Sequence, residues 1–562
     1  MKTPTFWFYF GIVAILLGAL FLRLYKVTHL PQYWEEVALG YDAYAIAKTG
    51  RDHHGHSWPI VAFESFGDWK PSLYFYSIVP FIHLLGLNVL AVRLPSILSG
   101  VAIVGGVGAL AYSVSSPSTI KNKRILALIA MTVTALSPWA VMFSRAGWEV
   151  NLASALMLWG VVAGLWSQKR VLLLGISALL LVLSMYTYHA ARIVAPLLGI
   201  GVVGLYFLNQ QPAALFTRLK SVSLSALFAL LLLSPLIFSL GSQSVRQRFA
   251  ETSIFNDLSI IEESNALKES AGSTFWARLL YHRYLLFGRE VMINYLEHFR
   301  LDFLFLNGDS NPRHSIQYFG HLYHIELLFL LSGVYYLCQR GNKYHVFLMA
   351  WLFMGIIPAA ITQASPHALR ILPTLPVWMI VISYGIFFLA SESCAFVRRV
   401  IPSNSFYFKY LIPIMIGLIY LAEFTAFWRY YTLVYPTVQA YEWQYGYQQL
   451  VHSIEEKKDE YEQVYITREY GRPAMYYWFY TAADPEAVQA SDVQAPKDQA
   501  EVLAYENIKF IRSVADIDQT PALVASSAEA LAQIQKTHQT TVVETITYPT
   551  GETVWIIYEV KE

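Results

Sequence analysis

The feature that most constrains this chain is the way charge alternates between its long apolar runs. Roughly eleven runs are long enough to cross a bilayer, near 6–23, 92–116, 125–143, 149–166, 171–187, 192–208, 222–241, 323–339, 345–362, 371–391 and 409–430. One kind of connection is short and basic, without acids: Lys121, Lys123 and Arg124; Lys169 and Arg170; Arg340 and Lys343; Arg398 and Arg399. The other kind mixes carboxylates, histidines and arginines with aromatics, as in Trp34-Glu35-Glu36, Asp68-Trp69-Lys70, Arg145 to Glu149, His189 to Arg192, and His367 to Arg370. Basic loops mark the cytoplasmic side, so the mixed loops gather on the outer side. Ionisable groups at membrane depth are costly, which makes those that persist there functional candidates.

The bulk composition agrees. Of 562 residues, 56% are hydrophobic and 14% charged, the balance of a polytopic membrane protein. A net charge of +1 gives no reason to expect a nucleic-acid partner. Cys338 and Cys394 fall at cytoplasmic span ends and supply neither a disulfide framework nor a zinc spacing. The first run is followed by Arg23 and Lys26 instead of a small-residue cleavage site, so it reads as an uncleaved span. The stretch 74–90 is apolar, but counting it as a crossing would invert every later basic loop. It reads instead as a helix lying in the membrane interface.

Two outer loops are long, about 24–92 and 242–321, and loops of that length usually bind something. From Tyr431 onward, acids and polar residues rise and no span-length run recurs. Residues 442–461 and 526–537 read as helices, and 463–467, 509–513, 540–548 and 553–560 as strands. The expected division is therefore 1–430, a membrane module, and 431–562, a small outer α/β domain.

Glu35 and Glu36 open a predicted helix. Neighbours on a helix are about 100° apart, so the two carboxylates face different surroundings. A partly desolvated carboxylate suits general-base work on a hydroxyl; the plain alternative is that acids favour a first helical turn. Lys70, beside Asp68 and ahead of a proline expected to begin the interfacial helix, offers a point charge to a lipid phosphate. Arg145 and Glu149 are spaced for one helical face. His189 with Arg192, and His367 with Arg370, repeat a spacing that fits an anion clamp. Together with Arg313 and His314 they put cations where the positive-inside rule predicts few, and an anionic outer-leaflet substrate explains them jointly. The histidines show no convincing metal-ligand spacing, so no metal and no cofactor is expected. No nucleotide-binding loop or serine or cysteine nucleophile motif is present.

A single span, an acidic pair in a long outer loop, then Lys70-Pro-Ser-Leu-Tyr74 resembles the GT-C class of membrane glycosyltransferases, nearest the protein O-mannosyltransferases and lipid A aminoarabinose transferases. Gly40 to Tyr44, Lys48 to Asp52, Ser65 to Pro71, Arg93 to Ser96, Tyr186 to Arg192 and Pro366 to Arg370 resemble a bacterial branch, over about residues 1–430. The resemblance implies a GT-C fold with interfacial helices in the first outer loop. It also implies inverting transfer of a sugar from a polyprenyl-phosphate carrier to an acceptor at the outer face. That family's acidic pair normally reads Asp-Glu; here Glu35 stands at the Asp, which leaves the base open between Glu35 and Glu36. Lys70 matches the lysine implied to hold the carrier phosphate, and Glu149 matches a second-loop acid that is usually Asp.

The sequence reading is thus a hexosyltransferase-type enzyme of a bacterial plasma membrane, with its active site and C-terminal domain outside the cytoplasm. Its donor would be a lipid-linked sugar and its acceptor a protein, lipid or polysaccharide. A transporter or flippase of an anionic glycolipid is the alternative, although such proteins tend to show internal repeats, and a non-catalytic sensor is a third reading.

Overall fold

The structure, a computed structural model, describes residues 3–65, 68–115, 123–208, 215–239, 241, 253–400, 405–494, 497–498 and 501–561. Lys121 and the side chains of Asp68, Cys394, Arg398 and Arg399 lie outside the described set. The chain divides into two compact units: 1–25 with 96–428, and 26–95 with 429–562. The expected division placed the first outer loop with the membrane module, whereas here residues 26–95 group with the C-terminal segment.

The first unit is helical. Each expected span falls on a helix, from Thr3–Leu24 through Glu149–Trp166 and Lys343–Ala360 to Ser405–Arg429. Among the described residues, eight helices are long and apolar enough to cross a membrane, which makes this a multi-pass membrane protein. The run expected at 125–143 is interrupted. Helix Lys123–Leu136 stops, and Pro138–Phe143 restarts with Ser137 as its cap, accepting from the Ala140 N–H. A proline at the first helical position needs no hydrogen-bond acceptor, so this is where the chain can restart. Helices Glu326–Arg340 and Leu375–Val400 touch backbone to backbone. A Cβ on Gly333 would lie 2.0 Å from the Val381 carbonyl oxygen, and one on Gly385 would lie 1.8 Å from that of Phe329. Small residues at such crossings permit the close approach that holds helices together in lipid.

The second unit begins with helix Trp34–Thr49, which has Glu35 and Glu36 in its first turn and Lys48 in its last, the polarity a helix dipole favours. It ends at Gly50, whose φ of 71° is the left-handed conformation glycine accepts without strain. A hairpin follows, Ala62–Ser65 against Asp68–Pro71, pairing Phe63 with Lys70. Helix Leu73–Leu85 then starts two residues after Pro71, so this proline closes a strand instead of beginning the helix.

The C-terminal part carries a six-stranded sheet in the order 504–505, 508–511, 464–467, 522–526, 553–561, 539–547. The two pairings of Val464–Thr467, with the strands on either side of it, are parallel, and the three outer pairings are antiparallel. Strand Ala522–Ser526 was not predicted. All five of its residues are buried, and a strand covered on both faces shows no alternation to read. Helix Pro473–Thr481, also unpredicted, packs on helix Trp34–Thr49. A Cβ on Gly40 would lie 2.6 Å from both Phe479 and Val92, so only glycine fits there. The Tyr41 hydroxyl donates to the Ala483 carbonyl, and the Tyr476 hydroxyl to that of Gln32. These contacts bind residues 26–95 to the C-terminal segment.

Candidate active site

The acidic pair splits as helix geometry requires. The Glu36 side chain is fully buried and accepts from Arg93 twice, from Nε at 2.7 Å and from Nη2 at 2.6 Å. The remaining Arg93 donors go to the carbonyls of Val27, Leu30 and Pro31. Such a fork-to-fork pair is both strong and directional, and it ties helix Trp34–Thr49 to the chain on either side of it. Glu35 points elsewhere. Its carboxylate is 37% exposed and lies 3.6 Å from the Lys70 Nζ.

Lys70 is only 8% exposed, and among the described residues its Nζ makes no hydrogen bond. An ammonium has three donors, so this one retains capacity for an anion. Its position follows from the hairpin register, and it faces the partly exposed Glu35 side chain. Trp34 holds the helix start: its N–H donates to Gln444 Oε1, which also accepts from the Tyr476 hydroxyl.

Close by in the same unit lies a group that sequence reasoning passed over. Buried Asp42 meets His53 Nδ1 at 2.6 Å, and buried Asp52 meets His56 Nδ1 at 3.0 Å. Burial first, and then the charge of Asp42, raise the Asp52 carboxyl above its usual range. The sequence signal was Arg51-Asp-His-His-Gly-His56 following helix Trp34–Thr49, although nothing in it indicated which histidine meets which acid.

The remaining candidates belong to the first unit. The structure does not place Arg145 and Glu149 on one helical turn. The helix ending at Phe143 breaks, and Glu149 begins a new one. Arg145 is buried and turns to the carbonyls of Leu22, Arg23 and Tyr25, closing the end of the first helix. Half-buried His189 sits in the turn before helix Ala191–Leu208, where the Arg192 N–H donates to its carbonyl. Arg192 Nε donates to the Met185 carbonyl at 3.3 Å. Arg313 bends back to Asn311. Arg370 donates to Thr362 Oγ1 and to the Ala364 carbonyl.

His314 and His367, far apart in sequence, come together on Asp309, which sequence reading did not single out. His314 Nδ1 is 3.1 Å and His367 Nδ1 3.9 Å from the same oxygen, Asp309 Oδ2. Burial would raise the Asp309 carboxyl. The His314 hydrogen bond and the histidine charges outweigh it and hold the group below the usual carboxylate range. Burial, reinforced by the charges of His314 and Arg370, pushes His367 well down. His298, which accepts from the His367 N–H at 3.1 Å, is pushed down to about 4, mainly by burial.

Elsewhere in this unit, a cavity of about 200 Å³ among helices Leu172–Met185, Ala191–Leu208 and Leu215–Ser239 is lined almost wholly by apolar side chains. It suits hydrocarbon and holds none of the candidate residues.

This combination defines a polytopic membrane protein with an acidic-pair loop folded onto a C-terminal α/β region. Among solved structures, the chain is similar to ArnT from Cupriavidus metallidurans bound to undecaprenyl phosphate, with 12% identity over 99% of this chain and 98% of that one and a TM-score of 0.52. It is similar to the same protein in the apo state, with 11% identity, equal coverage and a TM-score of 0.53. ArnT is a GT-C glycosyltransferase, and the GT-C fold is the fold of this chain. The sequence itself matches no family model and no curated protein.

Proposed function

We propose that this chain is an inverting glycosyltransferase that moves a hexose-type sugar from a polyprenyl-phosphate carrier to an acceptor at the outer face of a bacterial plasma membrane. The observation that carries the reading is Lys70: a buried ammonium with unused donors, 3.6 Å from a partly exposed carboxylate. That arrangement puts a base and an anion-holding charge side by side, which the transfer requires. The likeness to a fold solved with undecaprenyl phosphate bound supports the same reading of the donor.

In the reaction, Glu35 accepts the acceptor hydroxyl's proton while that oxygen bonds to the anomeric carbon. The bond from that carbon to the phosphate oxygen breaks, and polyprenyl phosphate departs with the electron pair. Lys70 meets the charge growing on the departing phosphate. A general base contributes typically ~10²–10⁴-fold, and a fixed cation on a leaving oxyanion adds a comparable amount. Glu36 is committed to Arg93 and holds the helix that aims Glu35. Arg192 and Arg370 are further candidates for the carrier phosphate, and the acceptor is a protein, lipid or polysaccharide hydroxyl.

The test is incubation of purified protein in detergent with a radiolabelled polyprenyl-phosphate sugar and membrane-derived acceptors. Sugar transfer by the parent chain, lost in Glu35→Gln, is the expected result. Lipid binding without any transferred or released sugar would overturn the enzyme reading in favour of a transporter.

A further inference from the structure

Asp309 is 3% exposed and gathers two imidazoles on one oxygen. The ligand-type atoms of Asp309, His314 and His367 all lie within 4.8 Å of one another, and the two rings are 4.8 Å apart at their centroids. Backbone contacts hold the set in place. The Ala368 N–H donates to Asp309 Oδ2 at 2.8 Å, the Asn311 N–H donates to Oδ1 at 2.9 Å, and the His367 N–H is held by His298. His367 Nδ1, buried beside Asp309, has no hydrogen-bond partner among the described residues. His321, 2% exposed, leaves its Nε2 equally unpartnered and lines the same small cavity as His314.

We infer that Asp309, His314 and His367 form a site for one divalent transition cation of the zinc class. Two ligands at about 2.0–2.2 Å from zinc stand about 3.0–3.4 Å apart at ordinary coordination angles. The 3.1 Å between Asp309 Oδ2 and His314 Nδ1 already meets that spacing. His367 lies 3.9 Å from the same oxygen and within 4.8 Å of His314, so it must move in by about half an ångström toward Asp309 and up to about 1.5 Å toward His314. One carboxylate with two imidazoles is a donor set that first-row divalent ions accept. The backbone N–H groups on Asp309 are the outer contacts that orient such a ligand. A simple Asp309–His314 hydrogen bond accounts for that one contact, but it leaves the buried nitrogen of His367 without a partner. A bound cation satisfies all three groups and clasps the segment around 309–314 to the residue leading into helix Ala368–Ile371, which carries Arg370. Its role is positioning.

The inference stands apart from the transfer reaction and is tested without any sugar donor. The full chain, purified in detergent and stripped with a chelator, is titrated with Zn²⁺ alone against a chromophoric chelator. One equivalent bound per chain is expected. Asp309→Asn, His314→Ala and His367→Ala should each weaken binding by at least the ~10–100-fold that loss of an outer contact alone costs, while His452→Ala leaves it unchanged. If a variant fails to fold, the parent chain still decides: Co²⁺ should give the visible absorption of a nitrogen–oxygen site, and Zn²⁺ should raise its Tm. Absence of stoichiometric binding and of the Co²⁺ band in the parent, or variants that bind like the parent, would overturn the site.

Discussion

Glu36 and Asp309 are both buried carboxylates, one in each unit, and they are partnered in opposite ways. Glu36 meets an arginine that stays protonated at any accessible pH, through two hydrogen bonds backed by three carbonyl contacts on the same guanidinium. Asp309 meets two histidines, whose nitrogens can give up a proton and accept a cation instead. The first arrangement is fixed and builds the frame around an adjacent, more exposed acid. The second is exchangeable and suits a ligand. Burial alone does not assign a role to a carboxylate; the partner does.

The largest expected effect contrasts the two neighbours in the acidic pair. Glu35→Gln should reduce turnover by ~10²–10⁴-fold in a protein that unfolds at the parent's temperature. Glu36→Gln should act chiefly on the fold. A folded Glu36→Gln variant that loses transfer while Glu35→Gln retains it would reverse the assignment.

Next comes the frame itself. Arg93→Ala leaves a buried carboxylate without its charge partner, a change that costs about 3–5 kcal/mol, so the variant should show a marked fall in Tm or fail to accumulate. Normal stability in that variant would mean Glu36 finds another partner, and the fixed half of the comparison would fail.

Lys70→Ala should lower donor affinity by about ten- to a hundredfold, from the roughly 1.5–3 kcal/mol of a charge-assisted contact. It should slow transfer as well, since charge on the leaving phosphate grows in the transition state. The measurement is donor binding beside single-turnover rate. Arg370→Ala, measured the same way, tests the second cation expected to hold the carrier phosphate. Unchanged affinity in both variants would remove both residues from the donor site while leaving the enzyme class intact.

The smaller effects fall on residues whose contacts are structural or fully solvated. Arg145→Ala strips three carbonyls of their donor and should cost about 1–3 kcal/mol in stability. Lys169→Ala, in a short basic loop, should stay within about 0.5 kcal/mol of the parent and leave donor binding unchanged.

The sequence by itself determined the long apolar helices, because apolar length is a one-dimensional property: a run either can or cannot span hydrocarbon. It also determined that Glu35 and Glu36 diverge, since that follows from 100° per residue. Lys70 could be read as a cation awaiting an anion from its neighbours alone. Tertiary structure decided which glutamate is buried against an arginine, because the choice depends on Arg93, more than fifty residues away. It decided that residues 26–95 group with the C-terminal segment, through side-chain contacts such as Gly40 on Phe479 that leave no periodic trace. It broke the expected Arg145–Glu149 turn, where backbone carbonyls at the end of the first helix outbid a helical pairing. It also assembled Asp309, His314 and His367, a metal-type donor set that no spacing rule along the chain would find, since its third member joins from another loop. Local periodicity is written into neighbouring residues; charge compensation is settled by whichever groups the folded chain brings within about 4 Å.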